Sequence, residues 1–215
     1  MAKPVNLAVL LSGGGRTLEN ILDCIREKKL DARVVVVISS REDAYGLVRA
    51  KRAGIDAHCV PHKLYQGDDA GKFSEEINKI LSLYPVDLIV MAGFMHLFKS
   101  GEKYKGKVMN IHPALIPSFC GKGYYGHHVH RAVLDYGVKI SGCTVHFADN
   151  AYDRGPIILQ AAVPVKDDDT PDTLAARVFA EEGKLYPRAI QLFAEGRLAI
   201  KGRKVYLKPE KAPGK

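Results

Sequence analysis

Val5-Asn6-Leu7-Ala8-Val9-Leu10-Leu11 runs directly into Ser12-Gly13-Gly14-Gly15-Arg16-Thr17, and then into Leu18, Ile21, Leu22 and Ile25. A nearly continuous apolar run of strand length, a glycine turn and an apolar stripe at helical spacing make one strand–turn–helix unit. The strand has almost no polar alternation, so both of its faces are expected to be buried, as in a parallel sheet covered by helices on each side. The same alternation continues through the first half of the chain. Arg33 to Ile38, Asp87 to Met91 and Lys107 to Ile111 read as further buried strands, with a short candidate from Ala57 to Val60. Thr17 to Lys28, Ala44 to Ala53 and Gly71 to Leu83 read as the intervening helices. Strands that alternate with helices predict a parallel sheet joined by right-handed crossovers.

The second half changes character. Gly142 to Ala148 and Pro156 to Val165 read as strands separated by a polar loop, Asp149 to Gly155, and therefore as an antiparallel pair. A helix pattern over His130 to Tyr136 precedes them, and a longer one, Pro171 to Glu195, follows. Thr170-Pro171 supplies an N-cap with proline at the first helical position. Gly202 and Arg203 are expected to turn a small terminal hairpin or strand, and the polar tail from Lys208 to Lys215 is expected to fray. The fold class is α/β: a mostly parallel, Rossmann-like twisted sheet flanked by helices, with an antiparallel C-terminal extension. One domain over 1–207 and a flexible tail over 208–215 are expected.

Composition narrows the function classes. At 215 residues with 47% hydrophobic and 26% charged residues, the chain suits one globular domain with a sizeable core. No apolar run approaches the roughly 20 residues that span a bilayer. Met1-Ala2-Lys3-Pro4 leads straight into the first strand without a signal-peptide core, so a cytoplasmic protein is expected, with no membrane partner. Cys24, Cys59, Cys120 and Cys143 are scattered, which points to reduced thiols rather than disulfides or structural zinc. The net charge of +8 suits small anionic ligands. Basic residues are spread out and no aromatic ladder accompanies them, so no nucleic-acid partner is expected.

Three segments carry polar or ligand-binding chemistry. In the glycine turn, Gly13, Gly14 and Gly15 let backbone N–H groups approach an anion at a helix N-terminus, with Arg16 and Thr17 as side-chain donors. A tight turn without a ligand and a dinucleotide site are the competing readings. Leu18 stands where the third glycine of a dinucleotide fingerprint belongs, although Ser39-Ser40-Arg41 suits a 2′-phosphate. Met91 to Phe98 lies at the C-terminal end of a central strand, where open α/β sheets bind ligands, and its apolar wall suits a flat ring. Asn110-Ile111-His112-Pro113 ends another strand. Asn110 and His112 are two residues apart and share a face, and Asp153 follows on the later loop. An amide, an imidazole and a carboxylate can stabilise an oxyanion, move a proton and orient the group that moves it. The plainer alternative is a polar pair satisfied at a strand end. His127-His128-Val129-His130 lacks partners at metal-ligand spacing, so no metal is expected.

The run Asn110 to Pro117, with Asp153-x-Gly155-Pro156, Leu11 to Gly15, Asp87 to Met95 and Gly142 to Phe147, resembles the formyltransferases that use 10-formyltetrahydrofolate. The resemblance extends from Val5 to about Leu198. It implies transfer of a formyl group to the amine of glycinamide ribonucleotide, with 10-formyltetrahydrofolate as a consumed cosubstrate and no tightly bound cofactor. Asn110, His112 and Asp153 would be catalytic, with Asp153 holding His112 in its charged form. The phosphate end, in a half of about 1–105, would use Gly13, Gly14, Gly15, Arg16 and Thr17; Glu182, four residues before Tyr186-Pro187, would meet the acceptor. Folate would lie against Met91, Phe94, Met95, His96 and Leu97, and against Asn110, Asp149, Asn150 and Asp153 of the half over about 106–200. The chain departs from the family at Gly14, Arg16 and Thr17, where asparagine, serine and asparagine are frequent, and at His96, where arginine is frequent. Its segment from Cys120 to Gly126 is longer than in many members and is expected to shape the acceptor pocket. A monomer or homodimer is expected. An amino-sugar nucleotide acceptor and an NADP-binding oxidoreductase stay open as alternatives. Formylation of methionyl-tRNA and hydrolysis of formyltetrahydrofolate would call for further domains.

Overall fold

The computed structural model describes residues 3–65 and 70–210. Its elements in chain order are β1 Val5–Leu11, α1 Arg16–Arg26, β2 Ala32–Ser39, α2 Tyr45–Arg52, β3 Ala57–Cys59, α3 Ala70–Ser82, β4 Leu88–Met91 and β5 Val108–His112. They continue with α4 His127–Tyr136, β6 Ile140–Phe147, β7 Ile157–Pro164, α5 Pro171–Ala194, β8 Leu198–Lys201 and β9 Lys204–Leu207. The described strands form one sheet in the order β3-β2-β1-β4-β5-β6-β7-β9-β8. From β3 to β5 neighbours run parallel, whereas β5–β6 and β6–β7 are antiparallel. The parallel sheet and the antiparallel extension are thus as the residue patterns imply. Lys208 to Glu210 continue beyond the last strand; the rest of the expected tail lies outside the described residues.

Alternation along β1 shows why the sheet is covered on both sides. Leu7, Val9 and Leu11 face a cluster that also contains Leu18 and Ile21 of α1 and Tyr186 and Ile190 of α5. Ala8 and Leu10 face the opposite cluster, with Phe73, Ile77 and Leu81 of α3. Each leucine taken fully out of water in this way contributes about 1.5–3 kcal/mol. A third cluster, with Val129 and Val133 of α4 against Leu174 and Val178 of α5, fixes the antiparallel half. Among the described residues, no helix is long and apolar enough to cross a membrane.

Most helix ends fall within one or two residues of the sequence reading, and the start of α4 departs furthest. α4 begins at His127 rather than at His130, after Gly126 in a positive-φ conformation (φ 51°). The three histidines therefore sit on the first turn of a helix, where successive side chains diverge by about 100°. The His127 Nδ1 lies 3.3 Å from Asp172 Oδ1, the His128 ring meets Tyr125 edge-on, and His130 turns inward.

The glycine turn is shaped by packing as well as by any ligand. Gly15 has φ 72°, and a Cβ there would stand 2.6 Å from the Gly46 Cα. Gly13 O accepts from Gly46 N–H at 3.0 Å, and Gly14 O from Arg49 Nε at 2.9 Å. In trans peptides the N–H opposes the preceding C=O, so the Gly14 and Gly15 N–H groups point away from α2. Gly15→Val should therefore damage the α1–α2 contact itself, adding left-handed strain of about 1–3 kcal/mol. The Tm should drop by roughly 4–8 °C, with no selectivity between substrates. Gly14 has no heavy atom within 4 Å of a built Cβ, so Gly14→Ala probes ligand approach alone. Thermal melts of both variants check this, and an undisturbed Gly15→Val would refute the packing role.

Candidate active site

The parallel half turns into the antiparallel half at β5, and the polar groups converge there. Register places Met91 beside Asn110 on one side, and His146 and Thr144 opposite Asn110 and His112 on the other. His146 is thus brought to Asn110 by strand pairing, although 36 residues separate them in the chain. Its Nδ1 lies 2.9 Å from its neighbour's carbonyl, Phe147 O, to which it donates. Its Nε2 faces Asn110 Nδ2 at 3.2 Å and Asp153 Oδ1 at 3.5 Å. The same Asn110 nitrogen approaches Asp153 Oδ1 at 3.5 Å, the long limit of a hydrogen bond.

His112 is 3% exposed and held between two acceptors. Its Nε2 donates to Phe119 O at 2.8 Å, while Nδ1 faces Asp153 Oδ2 at 3.6 Å. Asp153 Oδ2 also accepts the Gly121 N–H at 2.8 Å, so the segment Phe119-Cys120-Gly121 fixes both members of the pair. Phe119 (φ 49°) and Asp153 (φ 55°) adopt left-handed backbone, a cost of about 1–3 kcal/mol each at positions that aim a functional group. Gly155 allows the Asp153 loop to close: a Cβ there would stand 1.7 Å from Phe147 O, the acceptor of His146.

The electrostatics revise one expectation. Burial lowers the pKa of His112 below that of a free imidazole, and neither Asp153 nor the Phe119 carbonyl, which both push it up, restores it. The ring is therefore neutral near pH 7 in the free chain, not charged as expected, because desolvation exceeds the pull of a carboxylate at 3.6 Å. Burial also pushes Asp153 up, but His146, His112 and the Gly121 N–H outweigh it and keep the carboxyl ionised.

A cavity of about 620 Å³ opens over this cluster. Its lining draws Arg16 and Thr17 from α1 and Phe179 and Glu182 from α5, together with Phe94, Leu97 and Phe98 of the segment after β4, where Phe94 and Phe98 pack into the cluster on the α3 face of the sheet. Burial raises Glu182 to about 7, and Arg16 draws it partly back down. The Arg16 guanidinium lies 3.9 Å over the Phe179 ring, a cation–π seat that keeps the charge at the wall. Met91, Met95, His96, Asn110, His112, Asp149 and Asp153 also line the cavity, whereas Gly13, Gly14 and Gly15 are not among its lining residues. Asn150 is exposed and does not reach it. Among the described residues, no three His, Cys, Asp or Glu side chains are grouped to hold a metal ion.

Residues 5–190 match the family described as Formyl transferase. The chain belongs to the formyltransferase family. It is 36% identical over 211 residues to the phosphoribosylglycinamide formyltransferase of Escherichia coli, covering 97% of this chain and 96% of that protein. It is 43% identical over 205 residues to the trifunctional purine biosynthetic protein adenosine-3 of Bos taurus, covering 94% of this chain and 20% of that protein. The chain thus spans about a fifth of the length of these trifunctional relatives. Among solved structures, it is similar to glycinamide ribonucleotide transformylase 1 from Symbiobacterium toebii, at 45% identity and a TM-score of 0.88. That match covers 97% of this chain and 96% of the other.

In this formyltransferase the departures have local explanations. His96 stacks on His62 at 3.6 Å and 7°, and burial with the neighbouring His62 pushes it down to about 4, so it carries no charge near pH 7. Arg41, the residue suited to a 2′-phosphate, is tied to Asp43 by bonds of 2.9 and 2.7 Å. Leu18, at the third-glycine position, is fully buried. Neither feature favours a dinucleotide. The Leu97 N–H meets the Tyr152 hydroxyl at 3.1 Å, joining the apolar wall to the Asp149 to Asp153 loop. His146, Phe119 and Tyr152 were not among the expected site residues.

Proposed function

We infer that the chain transfers the formyl group of 10-formyltetrahydrofolate to the amine of glycinamide ribonucleotide, a step of purine biosynthesis. The observation that carries this reading is that Asn110, His112 and Asp153 line one cavity together with the polar Arg16 and Glu182 and the apolar Phe94 and Leu97. Relatives that match nearly end to end are named for the same reaction. The folate is consumed and released, so the reaction calls for no resident cofactor. We place the phosphorylated acceptor against Arg16 and Glu182 and the folate ring against Phe94 and Leu97. There a heteroatom edge would exchange with the Tyr152 hydroxyl for the Leu97 N–H.

Attack of the amine on the formyl carbon builds a negative oxygen and releases a proton. Asn110 donates to that oxygen; its long approach to Asp153 gives up little when the N–H turns to substrate. An ionised Asp153 and a neutral His112 have room for one proton between Oδ2 and Nδ1. The pair takes the amine's proton there, and Phe119 O and Asp153 then hold both N–H groups of the charged ring. His112 acts first as an acceptor, which its depressed pKa permits, and then returns the proton to the folate nitrogen as the bond from that nitrogen to the formyl carbon breaks and the carbonyl re-forms.

Steady-state assays should show turnover with 10-formyltetrahydrofolate and glycinamide ribonucleotide, and none with amino-sugar nucleotides. Turnover of an amino-sugar nucleotide alone would reassign the acceptor. NADP binding in a spectral titration, without folate binding, would move the chain to another class.

A further inference from the structure

One polar group at the cavity has no place in this chemistry. His130, in the first turn of α4, is 4% exposed, and its Nδ1 is buried with no hydrogen-bond partner among the described residues. Folded chains leave few such atoms, and one that lines a ligand cavity points to a ligand. α4 packs on α5 through Val129, Val133, Leu174 and Val178, which sets His130 on the side of the cavity shared with Phe179 and Glu182. Gly126 gives the helix start no side-chain cap, and Gly126 and His127 line the cavity beside His130. Burial, with His127 and His112 nearby, pushes the His130 imidazole down to about 4, so the ring is neutral. A neutral imidazole has one donor and one acceptor nitrogen. Whichever Nδ1 is, a hydroxyl or an amide can answer it.

We propose that His130 is a further acceptor-binding residue, its Nδ1 exchanging a hydrogen bond with a hydroxyl or amide of the acceptor and so positioning the amine over Asn110 and His112. The proposal rests on the reading that the α5 wall of the cavity holds the acceptor. A purely structural histidine would behave in the opposite way, because replacing an unpaired buried nitrogen with an apolar group of similar size relieves the folded chain.

The test compares His130→Leu and His130→Asn with wild type, by calorimetric titration of glycinamide ribonucleotide, by the KM of each substrate and by thermal melting. Leucine should weaken acceptor binding and raise its KM about tenfold or more, the scale of one lost hydrogen bond at a buried site. Its folate KM should stay within about twofold, with a Tm equal to or above wild type. Asparagine, which keeps a polar atom near the Nδ1 position, should bind the acceptor within about threefold of wild type. Wild-type acceptor affinity in the leucine variant overturns the proposal, as does a fall in Tm with both KM values raised together. Should leucine fail to fold, a tenfold loss in the asparagine variant overturns it instead. Wild-type protein that neither binds nor turns over glycinamide ribonucleotide refutes the assigned reaction, and the role of His130 goes with it.

Discussion

Asp153→Asn is expected to reduce kcat by about 10²–10⁴-fold while the chain stays folded. Asparagine tolerates the left-handed backbone that Asp153 adopts at φ 55°, so the loop keeps its course. Its side-chain oxygen still accepts the Gly121 N–H, now held at 2.8 Å. What disappears is the charge beside His112 Nδ1, and with it the main influence that raises the pKa of that buried ring. The pair can then no longer take the proton that the amine sheds. Asn110→Ala removes the oxyanion donor and should cost about 10²–10³-fold. It also removes the 3.2 Å neighbour of His146 Nε2, which keeps Asp153 Oδ1 at 3.5 Å, so the cost to stability should stay near that of one hydrogen bond, about 0.5–1.5 kcal/mol. Single-turnover rates with circular dichroism check both variants, and near-normal turnover in either would remove that residue from the reacting set.

The second large effect belongs to Glu182 and runs in opposite directions for stability and activity. Burial raises its carboxyl to about 7 from the 4.5 of an ordinary glutamate, so between those pH values the folded chain binds a proton that the unfolded chain has lost. Stability from this group is full below about 4.5 and declines as pH rises to about 7, by something on the order of 2–4 kcal/mol. Glu182→Gln abolishes that loss. Its Tm should exceed wild type at pH 8 by roughly 4–12 °C and match it near pH 4. Activity should move the other way. In the wild type the acceptor KM should climb as pH falls through about 7, where Glu182 takes up its proton. In the variant the KM should be high throughout and free of that transition. Equal melting curves at pH 8, or an unchanged KM profile, would show that the carboxylate neither strains the fold nor meets the acceptor.

The sheet was legible in the residues because buried parallel strands such as Val5–Leu11 admit no other apolar pattern. Asn110 and His112 were legible for a similar reason, since a spacing of two on a strand fixes a common side. His146 was not. Its place opposite Asn110 depends on the register of β5 and β6, and register follows from the intervening turns rather than from either strand alone. Phe119 was missed because its contribution is a carbonyl in left-handed backbone, where the side-chain type says nothing. The charge of His112 was misjudged because a sequence shows the neighbouring carboxylate but not the depth of burial. The sequence shows the N–H that Gly15 can offer but not its tight approach to Gly46, 31 residues further on, which belongs to the packing of α1 against α2.

The strands at the two ends of the sheet's order, β3 and β8, both discourage unwanted growth. At one rim β3 offers three residues, Ala57–Cys59, about 10 Å of ladder for an incoming strand to grip. At the other, β8 is four residues long and ends in an exposed Lys201, with Lys204 exposed beyond the turn. Short rims bearing lysine bind foreign strands poorly. The long, strongly apolar strands that would seed fibres, β1 and β2, are sealed in the interior of the ladder. For β1 and β2 to template a foreign strand, their neighbours in the ladder would first have to be stripped away.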